Sequence, residues 1–306
     1  MTLEYTIKIP ATSANLGSGF DSIGLAIDLW NFVTIKDGPF QINLKGYGED
    51  ELPNDSNNLV YQSFSRLFQE IGKSVPEVSM ECENNIPVAR GLGSSSAALV
   101  GGLYLANIFA DNPLNQSDLL DLAAQLEGHP DNVAPAILGG IQIGIYDNQS
   151  LITSSVSYPP NISLVLFIPD SKMSTDSARN ILGENVPRKD AVFNLGRFGL
   201  LVNSFSKGDL TNLKYATQDL LHQPQRQKIF FPMKNIIKGA LDAGAYGAFL
   251  SGAGSTVMAI TDSREYTIGY EMADAAMKSG IEGSIVVSSI VNQGVQLVGQ
   301  SETKCH

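Results

Sequence analysis

Residues 87–98 read Pro-Val-Ala-Arg-Gly-Leu-Gly-Ser-Ser-Ser-Ala-Ala. Gly91 and Gly93 let the chain turn tightly and bring its amides against a ligand with no side chain between. Of the serines that follow, Ser94 or Ser95 suits a helix N-cap. Ala97 to Ala110 then runs almost without a polar residue, as a buried helix would. Such a turn aims unpaired N–H groups and the positive end of a helix dipole at one point, where a phosphate fits. It is not a Walker A loop: Gly72-Lys73-Ser74 has Leu67 where the first glycine belongs. The dinucleotide pattern fails at Ser96, and the serine-hydrolase elbow fails at Ala97. Taken alone, the stretch is equally a glycine turn before a core helix.

Two further glycine loops frame it. One is Ser251-Gly252-Ala253-Gly254-Ser255-Thr256-Val257, set between short apolar runs; the other spans Pro10 to Asp21. Either alone reads as a turn. Glu127, Arg179 and Arg226, taken one by one, read as solvated charges on helices.

The elements that must position these residues follow from periodicity. Strands are predicted at 3–10, 27–35, 40–44, 78–83, 139–146, 164–168, 248–250, 255–261, 285–289 and 294–298. Helices are predicted at 58–71, 95–110, 117–127, 175–182, 190–206, 209–221, 235–243 and 265–278. Residues 11–24 read as a loop. The polar stretch 147–160 reads as a hinge, dividing the chain into domains at 1–155 and 156–306. Strands and helices mix in both halves, an α+β pattern.

Composition narrows the function classes. The chain has 306 residues, 43% hydrophobic, enough for a large core, and no membrane-length apolar run. The formal net charge of −11 opposes nucleic-acid backbones and anionic lipids, so neither nucleic acid nor membrane is an expected partner. Cys82 and Cys305 build no disulfide framework or metal cluster. The first residues lack a signal-peptide pattern, and the expectation is a cytoplasmic protein.

Three such loops in this order resemble the GHMP kinase superfamily. Pro10-Ala-Thr-Ser-Ala-Asn-Leu-Gly-Ser-Gly-Phe-Asp21 and Gly128-His-Pro-Asp-Asn-Val-Ala-Pro135 resemble the homoserine kinases within it, as do Ser174–Arg179 and His222–Arg226. The resemblance implies a two-domain α+β fold, with a ribosomal-protein-S5-like N-terminal domain containing a left-handed βαβ crossover. The C-terminal domain would be ferredoxin-like, with ATP and substrate in the cleft between. It implies an ATP:L-homoserine O-phosphotransferase using ATP and Mg²⁺, and, since members are often dimers, it suggests a homodimer. Pro87, Val88, Ala89, Arg90, Gly91, Leu92, Gly93, Ser94, Ser95, Ser96 and Ala97 would surround the phosphates. Asn58 and Leu59 would lie on the adenine side of the nucleotide, and Thr175 near the nucleotide or the hydroxyl. Ser95 and Glu127 would hold Mg²⁺. Asn15, Asp21, His129, Asn132, Arg179, Arg226 and Gly252 would hold L-homoserine. Asp21 would take its ammonium and the two arginines its carboxylate. Ser95, Glu127, Asn132 and Arg179 form the expected catalytic group. Asn132 would orient the hydroxyl, and Asp131 is either structural or a weak base. His222 reads as structural, and His306 has no assigned role. Rival readings are a kinase of another small alcohol, a non-catalytic amino-acid or nucleotide sensor, and a serine hydrolase built on Ser95.

Overall fold

The computed structural model describes residues 2–148 and 150–303; Met1, Gln149 and residues 304–306, which include Cys305 and His306, lie outside them. β1 (Thr2–Ala14) and β2 (Ile23–Asp37) pair antiparallel along nearly their whole length. β3 (Gln41–Gly46) and β4 (Val78–Asn84) run parallel, joined by the crossover helix α1 (Leu59–Glu70). Three helices follow: α2 (Ser94–Phe109), α3 (Gln116–Glu127) and α4 (Pro130–Leu138). The hairpin β5 (Ile141–Asp147) and β6 (Ser150–Val156) closes the first half. With the last strand, β11 (Gln296–Thr303), these form a seven-stranded sheet in the order β11-β1-β2-β4-β3, with β5 on the start of β2. Inward-facing Ile7, Ile9, Leu25 and Val33 share one core with Leu99, Leu103 and Val133 of the covering helices. Each such side chain, fully removed from water, contributes about 1.5–3 kcal/mol.

The second half opens with β7 (Ser163–Pro169), whose last six residues are all buried. β8 (Gly247–Leu250), β9 (Val257–Thr261) and β10 (Gly283–Ser289) join it, all antiparallel, in the order β10-β7-β9-β8. That is the ferredoxin-like order, with the first strand central and the last at one edge. α9 (Met233–Asp242) and α10 (Glu265–Lys278) pack on this sheet. Between β7 and β8 lie α5 (Thr175–Asn180), α6 (Arg188–Lys207), α7 (Leu213–Ala216) and α8 (Gln223–Arg226).

Four local expectations need correction. Residues 11–14 belong to β1, because they pair with β2 beyond a register shift at Pro10/Ala11. The polar stretch 147–160 holds β6. The run 209–221 breaks into a 3-10 turn, α7 and a loop, because Asp219 draws the amides of Leu221, His222 and Gln223 onto its carboxylate. α4 was not anticipated, since two prolines argue against a helix; Pro130 stands at its first turn, where no N–H is needed.

Candidate active site

The three glycine loops meet. Gly91 and Gly93 have φ of 73° and 68°, and a Cβ on either would collide: with the Ser251 carbonyl oxygen at 2.1 Å, or with Thr12 Oγ1 at 1.9 Å. No larger residue fits either position. The Ser251 hydroxyl donates to the Gly91 carbonyl at 2.6 Å, and the Thr256 amide to the Arg90 carbonyl at 3.0 Å. The Thr12 amide reaches the Leu92 carbonyl at 3.1 Å, and the Gly252 amide the Ala14 carbonyl at 3.1 Å. Each loop is held by the other two.

Helix α2 begins differently from expectation. Its N-cap is Gly93 in the left-handed conformation, with no side-chain cap, so Ser94 and Ser95 sit inside the first turn. Ser96 donates its hydroxyl to Glu127 Oε1 at 2.5 Å. The uncapped turn leaves its amides for a ligand. Arg90 spends its guanidinium elsewhere. Its Nε donates to the Pro169 carbonyl at 2.7 Å and a terminal nitrogen to the Asp170 carbonyl, tying the loop to the end of β7. Burial pulls its pKa down, against Asp170 and Tyr47.

A cavity of about 500 Å³ lies over this turn. Every site residue expected from sequence lines it except Pro87 and Ala97. Ala97 is buried in α2, and Pro87 faces a separate cleft with Tyr47 and Pro169. Asn58 shapes the wall: it caps α1 by accepting from the Val60 amide at 3.0 Å and donates to the Pro53 carbonyl at 2.7 Å. Sequence reasoning missed the apolar shelf of Leu44, Leu52, Pro53 and Cys82. These come from two strands and a loop with no shared motif, and only the β3–β4 pairing brings them together. Burial, helped by Glu81, pushes the Cys82 thiol up to about 12, so it is an inert wall group.

The far end of the cavity is charged. Arg179 holds both oxygens of Asp21, at 2.9 and 3.1 Å. Asp21 sits at φ 54°, and its amide donates to Asn15 Oδ1 at 2.9 Å. Asn15 Nδ2 in turn donates to the Gly252 carbonyl at 3.0 Å. Arg226 is 2% exposed and donates to the Gly252 carbonyl at 2.8 Å, to the Ala178 carbonyl at 3.2 Å and to His222 Nδ1 at 2.9 Å. Burial, reinforced by Arg179, lowers its pKa to about 10. Since Arg226 is only a donor, His222 Nδ1 accepts and its Nε2 donates to the Gly17 carbonyl at 2.9 Å. Burial lowers the His222 pKa, which matches that neutral, structural role.

Between the two ends stand His129, Asp131 and Asn132. His129 Nδ1 donates to Asp131 Oδ1 at 2.5 Å, and Asn132 Nδ2 lies 3.5 Å from the same oxygen. Burial pulls the His129 pKa down, but the bond and charge of Asp131 outweigh it, and the net shift is upward. Thr12 Oγ1 donates to Asn132 Oδ1 at 2.8 Å, so Asn132 keeps only its NH₂ for the cavity. Thr12 was not singled out by sequence, yet it fixes Asn132 and presses on Gly93.

Glu127 ends α3, where Gly128 turns left-handed. A carboxylate at a helix C-terminus faces the negative end of the dipole, a costly place unless a cation stands nearby. Among the described residues no cluster of three or more His, Cys, Asp or Glu side chains could hold a metal alone. Ser95 and Glu127 line the same cavity as the uncapped turn. Two hard oxygen donors completed by phosphate oxygens and water suit Mg²⁺.

Comparison with known proteins agrees with this arrangement. Models of the GHMP kinases N terminal domain and the GHMP kinases C terminal match residues 58–140 and 200–275. A homoserine kinase of Desulfitobacterium hafniense is 42% identical over 294 residues, covering 95% of this chain and 99% of the relative. One from Synechocystis is 39% identical, covering 92% and 94%. The chain belongs to the homoserine kinase family of the GHMP kinases. The crystal structure of a homoserine kinase from Cytophaga hutchinsonii superposes on this GHMP kinase with a TM-score of 0.86 at 28% identity, covering 96% and 97% of the chains. A mevalonate diphosphate decarboxylase from Staphylococcus aureus gives 0.71 at 15% identity over 98% and 99%, a likeness of GHMP fold alone. No described helix of this GHMP kinase is long and apolar enough to cross a membrane.

Proposed function

We propose that the protein transfers the γ-phosphoryl group of ATP to the side-chain hydroxyl of L-homoserine, giving O-phospho-L-homoserine and ADP, the step that commits homoserine toward threonine. The observation that carries this is one cavity with an anion cradle at one end and side chains of both charge signs at the other. A phosphoryl donor needs the first. A zwitterion with an α-ammonium and a carboxylate needs the second. In this reading residues 1–155 supply the cradle and Asp21, and residues 156–306 supply the arginines. The protein works in the cytoplasm, as a homodimer.

Phosphoryl transfer asks a protein chiefly to position the reactants and stabilise charge. The amides of Gly91 to Ser96 hold the β- and γ-phosphates. Ser95 and Glu127 hold Mg²⁺, which neutralises charge on the phosphate oxygens when bound. Arg226 offers the substrate carboxylate its one unengaged terminal nitrogen, and Arg179 joins it by giving up part of its hold on Asp21. Asp21 then takes the ammonium. Asn132, its oxygen held by Thr12, donates from Nδ2 to the hydroxyl oxygen and aims it at the γ-phosphate. Asp131 is 2% exposed and engaged with His129, which suits an orienting carboxylate better than a base. A loose transition state needs little from a base, so the hydroxyl proton leaves late, to the phosphoryl oxygens.

The test is an ADP-release assay over a panel of alcohols, with and without Mg²⁺. Homoserine should turn over fastest, only with the metal. Faster turnover of an alcohol lacking the α-ammonium would reject the substrate assignment, because Asp21 would then have no purpose.

A further inference from the structure

The third serine of the loop, Ser96, has a hydroxyl that the phosphate contacts do not require. It sits in the first turn of α2, and the residue is 1% exposed. The usual fallback for a helical serine is the carbonyl four residues back. Here that is the Leu92 carbonyl, which already accepts the Thr12 amide at 3.1 Å. Ser96 instead donates across to Glu127 Oε1 at 2.5 Å, a short bond of the charge-assisted kind. Among the described residues the Glu127 carboxylate makes no other hydrogen bond and no close ion pair; Arg179 and His129 act on it only through space. No basic side chain stands in the last turn of α3, and Gly128 behind Glu127 gives no lateral support. A carboxylate on a flexible stem at a helix end would otherwise sample several rotamers.

We propose that Ser96 is a positioning residue for the metal: its buried hydroxyl occupies one oxygen of Glu127 and holds the carboxylate so that the other is presented to Mg²⁺. The idea rests on the reading of Glu127 as a metal ligand. Hydrogen-bond partners of ligating carboxylates fix their orientation, and losing one commonly costs 10–100-fold in metal affinity. Ser96 also couples two helix ends of opposite polarity, the positive start of α2 and the negative finish of α3. Phosphate is attracted to one and a divalent cation to the other.

The experiment is Mn²⁺ titration, read by electron paramagnetic resonance, of the full-length protein saturated with ATP. The variants are Ser96→Ala, Glu127→Gln and the double substitution. Ser96→Ala should weaken Mn²⁺ binding 10–100-fold, with the ligand-free melting temperature and metal-free ATP affinity near those of the parent. In the Glu127→Gln background the same serine substitution should change Mn²⁺ affinity little, because the two act as one unit. Undiminished Mn²⁺ affinity in Ser96→Ala, with a loss in Glu127→Gln, overturns the role of Ser96 and leaves Glu127 a ligand. An equal loss from Ser96→Ala in both backgrounds also overturns it, since Ser96 would not then act through Glu127. Parent-like affinity in Glu127→Gln overturns both assignments.

Discussion

The two ends of the cavity are made of different materials. The nucleotide end is backbone: an uncapped helix turn and two glycines held by neighbouring loops, with few ionisable groups. The amino-acid end is side chain, and its charges already have partners within the protein: Asp21 with Arg179, and Arg226 with His222 and two carbonyls. A backbone cradle is ready before the ligand arrives. A side-chain receptor must exchange internal bonds for bonds to its ligand. The exchange is cheap at Asp21 and Arg179, whose side chains are about one-third exposed. A pair so placed is worth roughly 0–1 kcal/mol. It is not cheap at Arg226, which is fully enclosed and presents one fixed group.

The contrast breaks most visibly at Glu127, a carboxylate beside the cradle. Glu127→Ala should cut kcat by at least about 10²-fold, the scale for losing a single group that stabilises the transition state. The protein should stay folded, its melting temperature lowered only by the loss of the Ser96 bond, and near-normal turnover would remove the residue from the metal. Arg226→Ala is next. It strips a donor from the Ala178 carbonyl and from His222, while the Gly252 carbonyl keeps Asn15, and leaving a buried group unpaired costs about 1–3 kcal/mol. The KM for homoserine should rise while that for ATP stays constant. A rise in the ATP KM alone would move Arg226 to the other ligand. The smallest effect is on pH dependence. The folded pKa of His129 is raised above its ordinary 6.5, so its stabilising contribution is complete below that value and disappears as pH rises through the folded one. Urea midpoints of the parent and His129→Gln should therefore differ more at pH 6 than at pH 9. A gap that widens toward alkaline pH would reverse the sign of the His129–Asp131 interaction.

The same division decided what could be read from residue order. Backbone sites need glycines at fixed offsets, and Gly91, Gly93 and Gly252 announced themselves. So did the run to Asp21, because strained positions such as Asn15 and Asp21 favour few residue types. The ferredoxin-like order of β7 to β10 came from the resemblance, not from periodicity, since alternation marks strands without saying which neighbour each will take. Side-chain traffic was illegible. That Arg90 would turn to the Pro169 carbonyl depends on two segments 79 residues apart. That Ser96 rather than Ser95 would bond Glu127 depends on the azimuth of α2 against α3. The prolines of α4 hid a helix because a negative local signal outweighed the buried face of Val133 and Ala134.

β11 has a consequence for how the chain is made. It follows every other described strand in chain order, yet it pairs with β1, which precedes them all. Until β11 has left the ribosome, β1 keeps an open flank of unpaired amides and carbonyls. The nascent polypeptide therefore carries a sticky border through the whole synthesis of its second half, a window in which a chaperone or a premature stop would be felt most.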